Sequence, residues 1–159
     1  MKMCKGFTLI ELLIVIVIIG ILAAAMLLST GSATSAAKAS TIISDLRNMK
    51  AAAAMLVLDS EDAFVGTATV GEILKAMAKY ADNPDKYKGT NAPFKVVKAT
   101  IDGQSKAFGG LEVAAADVKV KLKEKAKEIG LFGSTSATTA PTDLAAFYNN
   151  ESYVWMLIY

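Results

Sequence analysis

The chain has 159 residues, no histidine and one cysteine, with 17 Lys+Arg against 15 Asp+Glu. Near-balanced charge argues against nucleic-acid binding by bulk electrostatics, and the missing histidine removes the commonest general base and the commonest transition-metal ligand. The 53% of hydrophobic residues are unevenly spread, and their densest run lies near the start.

Residues 1–6, Met1-Lys2-Met3-Cys4-Lys5-Gly6, are short and basic. Residues 7–28 follow with one charge, Glu11. As a helix this run is about 33 Å long, enough to cross a hydrocarbon core of about 30 Å. Lys2 and Lys5 precede it and the next cation is Lys38, which places the N-terminus in the cytoplasm and the rest outside. A secretory signal peptide would have an apolar core of about 7–15 residues. This run is longer, although Ala23-Ala24-Ala25 imitates a cleavage site. A plain anchor that tolerates Glu11 by snorkelling is a second reading. A buried core helix is a third, opposed by a run that is apolar on every side. Against all three stands the carboxylate. Such a group at depth costs about 2.5–3.5 kcal/mol on insertion scales and ordinarily has a partner. Cleavage after Gly6 would create a free amine on Phe7, one turn from Glu11, able to pair with it within a subunit or between staggered copies.

The string Gly6-Phe7-Thr8-Leu9-Ile10-Glu11-Leu12 and the aliphatic run behind it resemble the N-terminus of type IV pilins and type II secretion pseudopilins. The resemblance covers about 20 residues. It implies a leader, residues 1–6, removed by a prepilin peptidase between Gly6 and Phe7, and N-methylation of Phe7. It implies that Glu11 pairs with the Phe7 amine of a neighbouring subunit during assembly. It also implies an α+β, pilin-like fold: a long N-terminal helix packed on a small antiparallel sheet. Many pilins have a proline near position 28, and this segment has none. Cys4 lies in the expected leader, so the mature chain would close no C-terminal loop by a disulfide and would hold that region by packing or by a calcium ion.

Farther on, the pattern changes. Residues 29–35 are small and polar and mark membrane exit. Ile42, Ile43, Leu46, Met49, Ala53, Leu56 and Val57 then recur at helical spacing, with Lys38, Asp45, Asn48 and Lys50 on other faces. One helix over residues 7–60 is expected, with residues 29–60 its amphipathic half; two helices hinged at Gly31 are the alternative. The globular head is assigned to residues 61–159. Thr69-x-x-Glu72 signals a capping box opening a helix over 70–81. Asp82-Asn83-Pro84-Asp85 reads as a turn. Residues 93–101 read as a strand, Asp102-Gly103 as a turn and 106–113 as the returning strand, although Gly109-Gly110 weakens the latter. Residues 114–129 alternate like a strand in part, yet Ala115, Val118, Leu122, Ala126 and Ile129 lie at helical spacing ahead of Gly130, and a helix is preferred. Residues 133–142 read as a loop. Residues 152–159 read as a central terminal strand, apolar on both faces.

Candidate chemistry is sparse. Lys119, Lys121, Lys123, Lys125 and Lys127 are the densest basic run; spread around a helix, with Glu124 and Glu128 nearby and no aromatics between, they fit a solvated helix better than a DNA site. Asp59, Glu61 and Asp62 lack calcium-loop spacing, and Asp82, Asn83 and Asp85 fit an ordinary turn. Phe147, Tyr153 and Trp155 fit a core better than a ligand platform. Asn150-Glu151-Ser152 matches a glycosylation acceptor pattern. No cofactor, metal or enzymatic activity is expected. The expected partners are further copies in a helical homopolymer, inner-membrane lipid before assembly, the processing peptidase and methylase, and a pilus or type II secretion assembly platform. Within filaments the alternative is a major pseudopilin of a type II secretion system. From another class, a membrane-tethered binding module that never polymerises is the rival.

Overall fold

The computed structural model describes residues 6–64, 68–89 and 92–159, with the side chains of Leu28 and Ser29 left aside. Most of the expected leader, Lys2, Cys4 and Lys5 included, lies outside the described residues. The chain divides into two units, Met1–Ser35 and Ala36–Tyr159. Helix α1, Leu9–Asp59, runs through the division and across Gly31 without an interruption in its assignment. In the first unit every described side chain from Gly6 through Leu27 is exposed. This stretch is long and apolar enough to cross a membrane, and among the described residues its aliphatic side chains bury against nothing.

In the second unit α1 becomes the amphipathic helix that the spacing predicts. Ile43, Leu46, Met49, Ala53 and Leu56 are at most 5% exposed, and each large side chain removed from water contributes about 1.5–3 kcal/mol. Helix α2, Val70–Met77, opens on the expected capping box. Thr69 Oγ1 accepts from the Glu72 backbone N–H, and a Glu72 carboxylate oxygen accepts from the Thr69 N–H at 2.8 Å. The helix tightens into a 3-10 turn at Ala78–Tyr80 rather than staying α-helical to residue 81. The expected turn around Pro84 is a 3-10 turn, Pro84–Tyr87, capped by the Asn83 side chain.

Strands β1, Phe94–Ile101, and β2, Gln104–Glu112, form a hairpin. Asp102 and Gly103 both have positive φ, 53° and 76°, the backbone that a tight two-residue hairpin turn requires. Helix α3, Ala116–Ile129, follows, with Val118, Leu122 and Ala126 buried and Gly130 left-handed at its end. Strands β3, Leu131–Ser134, and β4, Tyr153–Leu157, complete an antiparallel sheet of order β1-β2-β4-β3. β4 is central, as its two-sided apolarity predicts.

Two expectations are corrected. Gly133 and Ser134 belong to β3, not to a loop. Four residues are too few to show an alternation, and Gly133 is in the strand because the Glu151 carboxylate occupies the space of a Cβ. Gly109 and Gly110 do not weaken β2: a Cβ on Gly110 would enter the Trp155 ring, and one on Gly109 would come within 2.8 Å of Met49 Cε. The glycines let a helix and an indole approach the strand. The sheet thus has a core on each side. One is built with α1, α2 and α3 around Val154 and Met156. The other comprises Val97, Phe108, Phe132 and Trp155, covered by Ala140, Leu144 and Phe147.

Candidate functional site

The first turn of α1 holds the only charge in the apolar segment. Glu11 Oε2 accepts from the Thr8 backbone N–H at 2.8 Å and from Thr8 Oγ1 at 2.7 Å, while the Glu11 N–H points back to Thr8 Oγ1 at 3.3 Å. This is a reciprocal capping box, chemically the same as that at Thr69 and Glu72. It satisfies two backbone donors that a helix start otherwise leaves open. It also sets a carboxylate against the positive end of the helix dipole. Among the described residues Oε1 takes no hydrogen bond, so within them one oxygen is held and the other is open to a second donor. Thr8 was missed in the sequence, although Thr8-x-x-Glu11 carries the same signal as Thr69-x-x-Glu72.

Gly6 and Phe7 precede the helix, which starts at Leu9 rather than at residue 7. Both are exposed, Phe7 at 86%. The peptide bond between them therefore lies in non-helical, accessible backbone, the form that peptidases bind.

The remaining candidates separate clearly. Asp59 accepts from Tyr80 Oη at 2.7 Å, and among the described residues no group of acidic or thiol side chains is placed to hold a metal. Asn83 serves as the cap of its turn, and Asp85 meets Lys88 at 3.4 Å. Trp155 is fully buried; its Nε1–H donates to Ser134 Oγ at 2.8 Å. Phe147 stacks on Phe132 and Tyr153 on Trp155, so the aromatic group is core. Asn150 is exposed with φ 68°.

The lysine run lies on α3, as the spacing predicts. Alternate lysines do fall on different sides of α3, but every fourth residue returns to within about 40°. Lys119, Lys123 and Lys127 thus share one flank, while Lys121 pairs with Glu124 at 3.0 Å on another. Asp45 is also not a solvent-facing residue. Its carboxylate meets Lys86 Nζ at 2.7 Å, partly buried, and Lys86 lies 5.4 Å from the Phe94 ring centroid.

Residues 1–27 match the prokaryotic N-terminal methylation motif, the signal segment of type IV pilins and pseudopilins. The match takes in Gly6, Phe7, Thr8 and Glu11, together with most of the apolar stretch. No curated protein and no solved structure matches the chain.

Proposed function

We propose that this chain is a structural subunit of a type IV pilus-like filament, cleaved between Gly6 and Phe7, N-methylated on Phe7 and polymerised through its N-terminal helix. The methylation motif, with Glu11 as the lone charge in an exposed apolar helix, carries this reading. Motif and helix together suggest an inner-membrane anchor. The anchor enters with its N-terminus in the cytoplasm and its head outside, following the position of Lys2 and Lys5.

The chemistry follows from the capping box. Thr8 holds one Glu11 oxygen and so fixes the carboxylate near the helix start. The other oxygen accepts the charged Phe7 amine of a neighbouring copy. In a low-dielectric filament core, a copy docked at the wrong stagger leaves both charges unpaired, which costs several kcal/mol. Lipid contacts of the aliphatic side chains are exchanged for contacts with other copies, and the ion pair selects the register.

Intact mass and N-terminal sequencing of the protein from its native membrane test the processing. The expected result is a chain that begins at Phe7 with the mass of one added methyl group. A chain that still begins at Met1 in the presence of the peptidase would sink it and favour the solitary anchored module. Surface fibres would identify a pilus; loss of protein export on deletion, without fibres, would identify the pseudopilus of a type II secretion system.

A further inference from the structure

Between α1 and α3, within the unit Ala36–Tyr159, lies a cleft of about 270 Å³. Its walls are polar: Ser40, Ser44 and Arg47 on α1 face Lys125 and Glu128 on α3. Its floor is apolar, made by the buried Ile43 and the half-buried Ile129. None of these charges is neutralised within the described chain. Lys121 takes Glu124 as its i,i+3 partner, yet the equivalent pair Lys125 and Glu128 does not form, and Arg47 has no carboxylate.

The serines add donors to the same cleft. Hydroxyls inside helices commonly satisfy themselves on the carbonyl four residues back. Thr30, Thr34, Ser35 and Thr41 of α1 all do so. Ser40 and Ser44, the two that line the cleft, do not, and neither does Ser32 outside it; among the described residues the exposed Ser40 and Ser44 hydroxyls have no partner and stand open to a ligand.

We propose that this cleft binds a phosphate ester carrying a primary ammonium group, of the phosphoethanolamine kind. Arg47 offers a planar fork and Lys125 a point charge to the phosphate oxygens, and the Ser40 and Ser44 hydroxyls donate to the same group. Together these are more donors than a single carboxylate accommodates, whereas a phosphate has the oxygens for them. Glu128 would repel a plain anion. It accepts from the ammonium instead, so two cations and one carboxylate mirror the charges of the ligand. Ile43 and Ile129 lie under the two-carbon link. The ligand reaches the cleft either as a soluble ester or as a lipid headgroup; both carry the phosphate and the ammonium, and the soluble monoester, with its second negative charge, matches the two cations more closely. The site does not depend on whether the chain polymerises.

The test uses the full chain reconstituted in phosphatidylcholine vesicles and equilibrium dialysis against labelled phosphoethanolamine. Saturable binding is expected. Arg47→Gln and Lys125→Gln should each weaken it by about tenfold or more, the usual effect of removing one charge-assisted bond. Glu128→Gln should weaken phosphoethanolamine binding while leaving inorganic phosphate binding unchanged or tighter. Lys123→Gln, on the other flank of α3, should change nothing. Competition by added phosphatidylethanolamine vesicles, but not by phosphatidylcholine vesicles, would assign the lipid source; displacement only by the soluble ester would assign the other. Absence of saturable binding, or equal weakening by Lys123→Gln, would overturn the proposal, the latter by showing diffuse charge attraction only.

Discussion

Thr8 holds one Glu11 oxygen, and the proposed ion pair uses the other, which gives Thr8 a role separable from that of Glu11 itself. Removing the carboxylate would remove the proposed intersubunit ion pair; removing only the Thr8 hydroxyl leaves the charge and frees its geometry. Glu11→Ala should therefore still insert and be cleaved but yield few or no filaments, counted by electron microscopy. Thr8→Ala should assemble slowly, and Thr8→Ser, which keeps the hydroxyl, should assemble normally. Equal behaviour of the alanine and serine variants would show that the cap does not position the carboxylate. Gly6→Glu places a charged side chain beside the proposed cleavage point and should leave residues 1–6 attached, read directly by mass. A residue-scale effect in the head is sharper. Gly110 lies against the Trp155 ring and the Val154 carbonyl, both fixed by the sheet. Gly110→Ala should cost at least about 1–3 kcal/mol by overpacking, seen as a lower midpoint in thermal unfolding.

Among the elements, those with a local chemical signal were legible and those defined by partners were not. The Thr69 cap, the Asp102-Gly103 turn and the Gly130 stop each carry their geometry in one or two residues, and α2, the hairpin and α3 appear where these predict. Strand β3 carries none; it is a strand because β4 pairs with it and Ser134 accepts from Trp155. The ion pair of Asp45 with Lys86 spans 41 residues, a separation that periodicity cannot bridge. The N-terminal segment followed the same rule: the methylation motif over residues 1–27 was legible, whereas the grip of Thr8 on one Glu11 oxygen needed the atoms. The α2 cap gives a pH test. Hydrogen bonds from the Thr69 backbone N–H and then its hydroxyl hold the Glu72 carboxyl below its ordinary value of 4.5. A depressed folded value means that this stabilisation is present above pH 4.5 and fades as pH falls through the lowered value. Thr69→Ala should cost about 1 kcal/mol at neutral pH. Its difference from wild type in denaturant unfolding should shrink as the pH is taken below 4.5; a constant difference would exclude the carboxylate from the cap.

At the scale of the whole molecule, the chain separates an exposed apolar segment from a head that folds around its own two cores. The two should then answer to different perturbations. In the proposed filament, assembly depends on Glu11 and on processing; head stability depends on the sheet and on the aromatic groups packed around it. Tyr87 is the point where the latter can be titrated. It is 4% exposed and meets the Phe94 ring edge-on at 4.9 Å. Burial, and then the carboxylates of Asp45 and Asp82, push its phenol up to about 12 from 10. Because the folded value is the higher one, the unfolded chain loses this proton first as pH rises. The stabilisation is complete below pH 10 and is lost progressively between pH 10 and about 12. Tyr148, whose hydroxyl donates to the Glu151 carbonyl, is also raised by burial and adds to the same loss. Tyr87→Phe should unfold at nearly the wild-type denaturant midpoint at pH 8 and at a higher midpoint than wild type at pH 11. Parallel alkaline curves for the two proteins would mean that the ring leaves its site before it ionises, and that the segment around Pro84 opens without the rest of the head.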